Sequence, residues 1–314
     1  SFYYPATLTM MIEPFKAAEG FYYTDAISYT ACAFVNSHID KSADKPFFMY
    51  VSYTAPHWPL HAPEEDVIKY QELYEQGWDV LRQKRFEKLK ELGIIAEHLE
   101  MSERDLQVPA WDTVDEKEWQ ARRMAVYAAQ VDIMDRGIGR ITEVLKEKNQ
   151  LDNTLILFLA DNGGCAEGWG PETQWIRRYA PEYNYDGVKL QFANDPSVIP
   201  GPDSTYTSYE TEWANLSNTP FRWYKHYGHE GGVATPFIMH WPGRFNNNDD
   251  LRTQVSGIID IMATIVDVAG VEYPELYNGN AIIPVEGISL KEAAINNDPL
   301  DRDTYYFEHE GNRY

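Results

Sequence analysis

Three short, nearly unbroken apolar runs restrict what this chain can fold into, because each ends abruptly in residues of another chemical kind. Pro46-Phe47-Phe48-Met49-Tyr50-Val51-Ser52-Tyr53 runs into Thr54-Ala55-Pro56-His57-Trp58-Pro59. Leu155-Ile156-Leu157-Phe158-Leu159-Ala160 runs into Asp161-Asn162-Gly163-Gly164, and Pro236-Phe237-Ile238-Met239-His240-Trp241 into Pro242-Gly243. Runs of this length without alternation suit strands covered on both faces, as in a parallel sheet. Helical patterns lie between them. Over 119–148, Met124, Tyr127, Val131, Met134, Ile138, Ile141 and Leu145 recur in steps of three and four as one apolar stripe. Residues 25–39 read as a second helix, and 258–269, stopped by Gly270, as a third. Residues 64–92 are helical in pattern but highly charged, which reads as a solvated excursion. The alternation predicts an α/β fold, with a mostly parallel central sheet flanked by helices.

Residues 163–218 break the rhythm, being rich in Gly, Pro, Tyr, Trp and Asn, and so long a loop is usually functional or a covering insertion. Beyond Gly287 the chain turns polar, and 304–310 look like a strand opening a new element. Acidic residues number 49 against 27 basic ones, a net charge of −22, so nucleic acid is not an expected partner and an anionic substrate needs a local positive site. No apolar stretch approaches the roughly 20 residues of a membrane-spanning helix. Cys32 and Cys165, the two cysteines, make neither a disulfide framework nor a thiolate zinc site. The opening Ser1-Phe2-Tyr3-Tyr4-Pro5 has no leader pattern.

In open α/β sheets, ligands gather beyond the carboxyl ends of strands, where both His57 and the Asp161-Asn162 pair fall. Asp161 and Asn162 offer hard oxygen donors suited to Ca²⁺ or Mg²⁺, and the two glycines after them let the backbone turn beside an ion; Asp-Asn-Gly is also an ordinary turn sequence. His57, between prolines that fix its backbone, suits proton transfer or oxyanion binding, or else is a half-buried imidazole satisfied by a carbonyl. His61 reads as a loop residue. Lys225, in Lys225-His226-Tyr227-Gly228-His229-Glu230-Gly231-Gly232, can bind an anionic oxygen or stand as a surface cation.

Taken in this order, these segments resemble the sulfatase family of the alkaline-phosphatase-like superfamily, across essentially the whole chain. The likeness to bacterial arylsulfatase-like members is carried by Tyr22-Tyr23-Thr24-Asp25-Ala26, Thr54-Ala55-Pro56-His57-Trp58-Pro59-Leu60, His229-Glu230-Gly231-Gly232 and Glu308-His309-Glu310-Gly311-Asn312-Arg313. The resemblance implies a sulfuric ester hydrolase acting on a small aryl or sugar sulfate, using a formylglycine nucleophile and Ca²⁺, or Mg²⁺, in the periplasm or outside the cell. By the same resemblance Asp161 and Asn162 form half of the metal site, and Asp161 also accepts a proton from the nucleophile. His57 contacts the sulfate and the leaving oxygen, Lys225 does so from the other side, and His229 is a further substrate contact.

The departures from the family pattern are specific. Cys/Ser-x-Pro-x-Arg, source of the formylglycine, is absent; the nearest match, Asn218-Thr219-Pro220-Phe221-Arg222, has Asn where the nucleophile belongs. The family's opening Asp-Asp ligands are not matched by Asp249-Asp250 in its Asn-rich loop, and no Lys-x-His occurs. All belong to the N-terminal part of the family's chain, so the expected organisation is a sulfatase α/β domain over 1–286 lacking that segment, with a small C-terminal α+β subdomain beginning over 287–314. A phosphatase or phosphonate monoester hydrolase of the same superfamily, and a non-catalytic binding protein on this scaffold, are the alternatives. Trp169, Trp175, Trp213 and Trp223 with Tyr179, Tyr183, Tyr206 and Tyr209 either wall a pocket or pack the insertion onto the sheet.

Overall fold

A computed structural model of the chain describes residues 2–3, 5, 8–168, 180–245 and 251–313. Trp169, Trp175, Tyr179, Asp249 and Asp250 lie outside the described residues. Strands β1 (Leu8–Met10) and β2 (Glu13–Phe15) precede helices α1 (Tyr23–Ser42), α2 (Glu64–Tyr74), α3 (Gly77–Glu91) and α4 (Lys117–Glu147). Strands β3 (Ile156–Leu159), β4 (Gln191–Phe192) and β5 (Thr205–Tyr206) lead to helices α5 (Glu210–Ser217) and α6 (Glu230–Val233). Strand β6 (Phe237–His240), helix α7 (Ile258–Ala269), strands β7 (Leu276–Tyr277) and β8 (Asn280–Ala281), helix α8 (Lys291–Asn296) and strands β9 (Glu308–His309) and β10 (Asn312–Arg313) follow. They form two compact units, Ser1–Asn149 with Asp161–Thr235, and Gln150–Ala160 with Pro236–Tyr314.

In the first unit α4 is the spine. Ala121, Ala125, Ala129 and Ile133 follow one another at four-residue steps and are buried, with Arg123, Met124 and Val126 buried beside them, so the covered face is broad and its small side chains let α1 and α2 approach closely. Residues 64–92 are not one solvated excursion, since α2 and α3 carry core: Val67 and Trp78 have no exposed surface. The break between them falls at Gly77, where φ is +80° and a Cβ would meet the Trp111 ring at 2.2 Å. Charge conceals this, because the outward residues are the charged ones and buried Asp66 is paired with Arg136 at 2.7 Å and Lys69 at 2.5 Å. Trp78 packs edge to face on Trp111 and Trp213 at 4.7 and 5.3 Å, and its indole donates to Pro109 O. Trp213, Tyr206 and Tyr209 are buried, so these members of the aromatic group pack the insertion rather than wall a pocket.

In the second unit β3 and β6 pair antiparallel, Ile156 opposite His240 and Leu159 opposite Phe237, where a parallel relation was expected. The second and third apolar runs mark strands correctly, but their composition does not encode direction, which is set by how the intervening chain returns. β6 also alternates half-buried and exposed residues, with Ile238 56% exposed, the pattern of a strand solvated on one face. Parallel pairing among the described strands is limited to the short β4–β5 ladder. Residues 46–53 form no strand; Phe48 and Tyr50 are exposed, and Met49 and Val51 line an apolar groove of about 410 Å³ with Met10, Phe15, Phe21 and Phe34. Helix α7 spans the residues its periodicity delimits and stops on Gly270 at φ +64°. Of 304–310, only Glu308–His309 is strand, paired with β10.

Candidate active site

Asp161, Asn162, His57, Lys225 and His229 all lie in the first unit. Gly163 N donates to Gly232 O at 2.9 Å and Lys225 N donates to Gly164 O at 3.1 Å, which fastens the Asp161 loop to the Lys225 loop. The approach is so close that a Cβ on Gly163 would lie 1.8 Å from Gly231 O, which explains glycine at this meeting point. Asn218 is the third fastening: its Oδ1 accepts from Gly164 N and its Nδ2 donates to Trp223 O, both at 2.8 Å. The residue standing where a nucleophile would be sought is therefore a brace between loops.

Lys225 lies between Trp223 and His226, with φ of +68° and +79°, left-handed conformations that cost bulky residues free energy and persist only where surrounding contacts impose them. Its side chain is 23% exposed and its Nζ lies 3.7 Å from Glu167 Oε1, so it is not a free surface cation. The exposed His57 ring donates from Nδ1 to Trp58 O at 2.8 Å and sits 4.4 Å from the Trp58 ring. A backbone carbonyl thus fixes one nitrogen and leaves Nε2 as the one able to exchange a proton. His229 precedes α6, accepts from Arg222 Nη2 at 2.9 Å and packs on Trp223 at 4.2 Å.

Glu167 was not anticipated, yet it joins these loops. Its Oε2 accepts from Trp58 Nε1 at 2.7 Å, and its Oε1 accepts from His226 Nε2 at 3.0 Å beside Lys225. Burial opposes its ionisation, but hydrogen bonds from His226, Trp58 and Cys165 and the charge of Lys225 outweigh it and pull its pKa down to about 2. An isolated Glu in a loop has no periodicity to mark it; its position three residues past Gly164 was the available signal. Burial pushes the Cys165 thiol up to about 11, so it favours the protonated form. His61, four residues after His57, has a different fate. It is fully buried, with Nδ1 accepting from Phe2 N at 3.3 Å and Nε2 donating to Thr205 O at 2.6 Å, and desolvation holds its pKa down to about 3.

Asp161 is exposed, and Asn162 donates from Nδ2 to Gly163 O at 2.8 Å, which leaves Oδ1 as the amide atom available to a cation. A carboxylate and an amide oxygen on adjacent residues are donor types that suit a hard cation such as Ca²⁺ or Mg²⁺.

The fold is shared with the crystal structure of Ps i-CgsB in complex with k-i-k-neocarrahexaose, at a TM-score of 0.54 and 23% identity, over 94% of this chain and 42% of that one. The model of the Sulfatase family matches residues 2–271, and the chain belongs to the sulfatase family. It is 32% identical over 293 residues to an uncharacterised sulfatase of Schizosaccharomyces pombe, covering 92% of this chain and 50% of the relative. An arylsulfatase of Klebsiella aerogenes is 31% identical over 255 residues, 79% of this chain and 51% of the relative. The chain thus spans about half the length of each relative.

Proposed function

We propose that the protein hydrolyses sulfate esters of aryl alcohols or sugars, with residues 161–167, 57–58 and 222–229 forming one side of the catalytic site. The observation that carries this reading is the fastening of the Asp161 loop to the Lys225 loop through Gly163 and Gly164, inside a chain of the sulfatase family. Asp161 and Asn162 would hold Ca²⁺, or Mg²⁺, which would supply positive charge to a bound sulfate ester. Asp161 accepts the proton of the attacking nucleophile. His57, anchored at Nδ1, gives a proton from Nε2 to the oxygen departing from sulfur. Lys225 binds sulfate oxygens, and His229, hydrogen-bonded to Arg222, is a further substrate contact.

The nucleophile in this reading is a formylglycine from outside the 314 residues, since no Cys or Ser here stands in its motif. The 314-residue chain alone should therefore turn over no aryl sulfate. A periplasmic or extracellular location agrees with the family, and no helix among the described residues is long and apolar enough to cross a membrane. The test is a panel of matched sulfate, phosphate and phosphonate monoesters given to the full-length protein. Preferred turnover of the sulfates, abolished by Asp161→Ala, is the expected result. A preference for phosphate or phosphonate esters would overturn the reading.

A further inference from the structure

We propose that Glu167 is a positioning residue that couples the His57 loop to the Lys225 loop, so that the leaving-group histidine and the sulfate-binding lysine are held in register by one carboxylate. The proposal rests on the catalytic roles given above to His57 and Lys225; the geometry behind it does not.

Glu167 stands on a fixed floor. Its carbonyl accepts from Ser208 Oγ at 2.6 Å, Ser208 is 1% exposed, and that hydroxyl in turn accepts from Asn194 Nδ2 at 2.9 Å. Two residues earlier, Cys165 N donates to the hydroxyl of buried Tyr209 at 3.1 Å. From this floor the carboxylate reaches two separate loops. On one side it takes the Trp58 indole, and Trp58 holds His57 twice, by its carbonyl on Nδ1 and by a tilted ring contact. On the other side it takes His226 Nε2 and attracts Lys225. At 3.7 Å the Lys225 contact is an ion pair too long for a hydrogen bond, so the ammonium keeps donors for a substrate oxygen while its stem is restrained.

Charge sharpens the inference. A carboxylate beside an anion-binding lysine works against anion affinity, so its presence is better explained by what it holds in place than by attraction for the substrate. If so, the acceptor geometry matters more than the charge. Gln can still accept from Trp58 and, with His226 in its other tautomer, donate to His226 Nε2, whereas Ala frees both loops.

The experiment uses the full-length protein with Glu167→Gln and Glu167→Ala, read in two independent ways. In ¹⁵N spectra the indole N–H of Trp58, assigned with Trp58→Phe, should move in Glu167→Ala and stay near its wild-type position in Glu167→Gln, while those of Trp78 and Trp213 do not shift. With an aryl sulfate, kcat/KM should fall about a hundredfold in Glu167→Ala, the loss that a misplacement near 1 Å brings, and less than about tenfold in Glu167→Gln. An unmoved Trp58 signal, or wild-type turnover in Glu167→Ala, overturns the proposal. Should Glu167→Ala not fold, a hundredfold loss in Glu167→Gln with the Trp58 signal in place would overturn it equally, because charge would then be the active property. If the wild type hydrolyses no sulfate ester, the catalytic reading fails by itself and the Trp58 signal still decides the coupling.

Discussion

Each unit of this protein has a carboxylate at the centre of a hydrogen-bond network, and the two are built differently. Asp260, in the second unit, is fully buried and bound by Arg302 at 2.5 and 2.8 Å, by Gly257 N and by Ile288 N, so it ties α7 to later chain. Glu167, in the first unit, keeps about a third of its side chain exposed and is bound by the side chains of Trp58, His226 and Lys225. Burial resists ionisation in both, and in both hydrogen bonds and a cation outweigh it and hold the pKa low. Backbone donors and one nearly buried arginine around a fully buried carboxylate close a fold; side-chain partners around a partly open one orient groups that must meet a substrate. His61 and His57 repeat the contrast within one loop, the first buried between backbone groups, the second exposed with one nitrogen free.

The largest expected effect falls on the buried side of this comparison. Asp260→Ala strands Arg302, which is 10% exposed, and should cost about 3–5 kcal/mol in denaturant unfolding of the full-length protein, the usual loss when one partner of a buried pair is removed. A loss no greater than that of Glu167→Ala would erase the distinction between the two networks.

Next comes His61. It is neutral when folded, with a pKa held at about 3, and takes up a proton when unfolded below about 6.5, so the unfolded state binds more protons across that interval. Its contribution is complete above about pH 6.5 and falls by about 1.4 kcal/mol per pH unit below it. Stability curves between pH 5 and 7 should lose that slope in His61→Gln. The carboxylate networks act lower: with folded pKa values depressed, their contributions are complete above the ordinary carboxylate range and are lost as pH falls through the depressed values, about 2 for Glu167.

Gly163→Ala should cost about 1–3 kcal/mol, because the new Cβ meets the Gly231 carbonyl and must push the loops apart. Turnover should fall by more than that stability loss alone accounts for, which kinetics at a temperature well below unfolding would show. The smallest effect on stability belongs to Lys225→Ala, at most about 1 kcal/mol for a partly exposed pair, despite a large effect on activity.

What the sequence revealed follows the same division. Helix α7 was legible to the residue because its apolar stripe and Gly270 are local signals, and α4 departs from the expected 119–148 by two residues at its start and one at its end. The antiparallel pairing of β3 with β6 was not legible, since an apolar run reads alike in either direction. Asp161, Asn162, His57 and Lys225 were visible as candidates because each sits just past or before an apolar run in a short motif of distinct chemistry, whereas Gly163 read as a turn beside an ion and its close approach to Gly231 emerged only in the fold. Glu167 was invisible because its importance lies in partners 109 and 59 residues away, a relation that only the fold creates.

The most direct test of the claim that these loops act on a leaving oxygen is a series of aryl sulfates of rising leaving-group pKa, extended to a sugar sulfate, turned over by the full-length protein and by His57→Ala and Lys225→Ala. A proton donor matters in proportion to how poorly the oxygen leaves, so the loss in His57→Ala should be modest for nitrophenyl sulfate and roughly a hundredfold or more for the sugar sulfate. Lys225→Ala should lose about equally throughout, as a cation on the sulfate oxygens would. A loss in His57→Ala that is constant across the series would contradict the account and leave His57 with no more than a role in placing the sulfate.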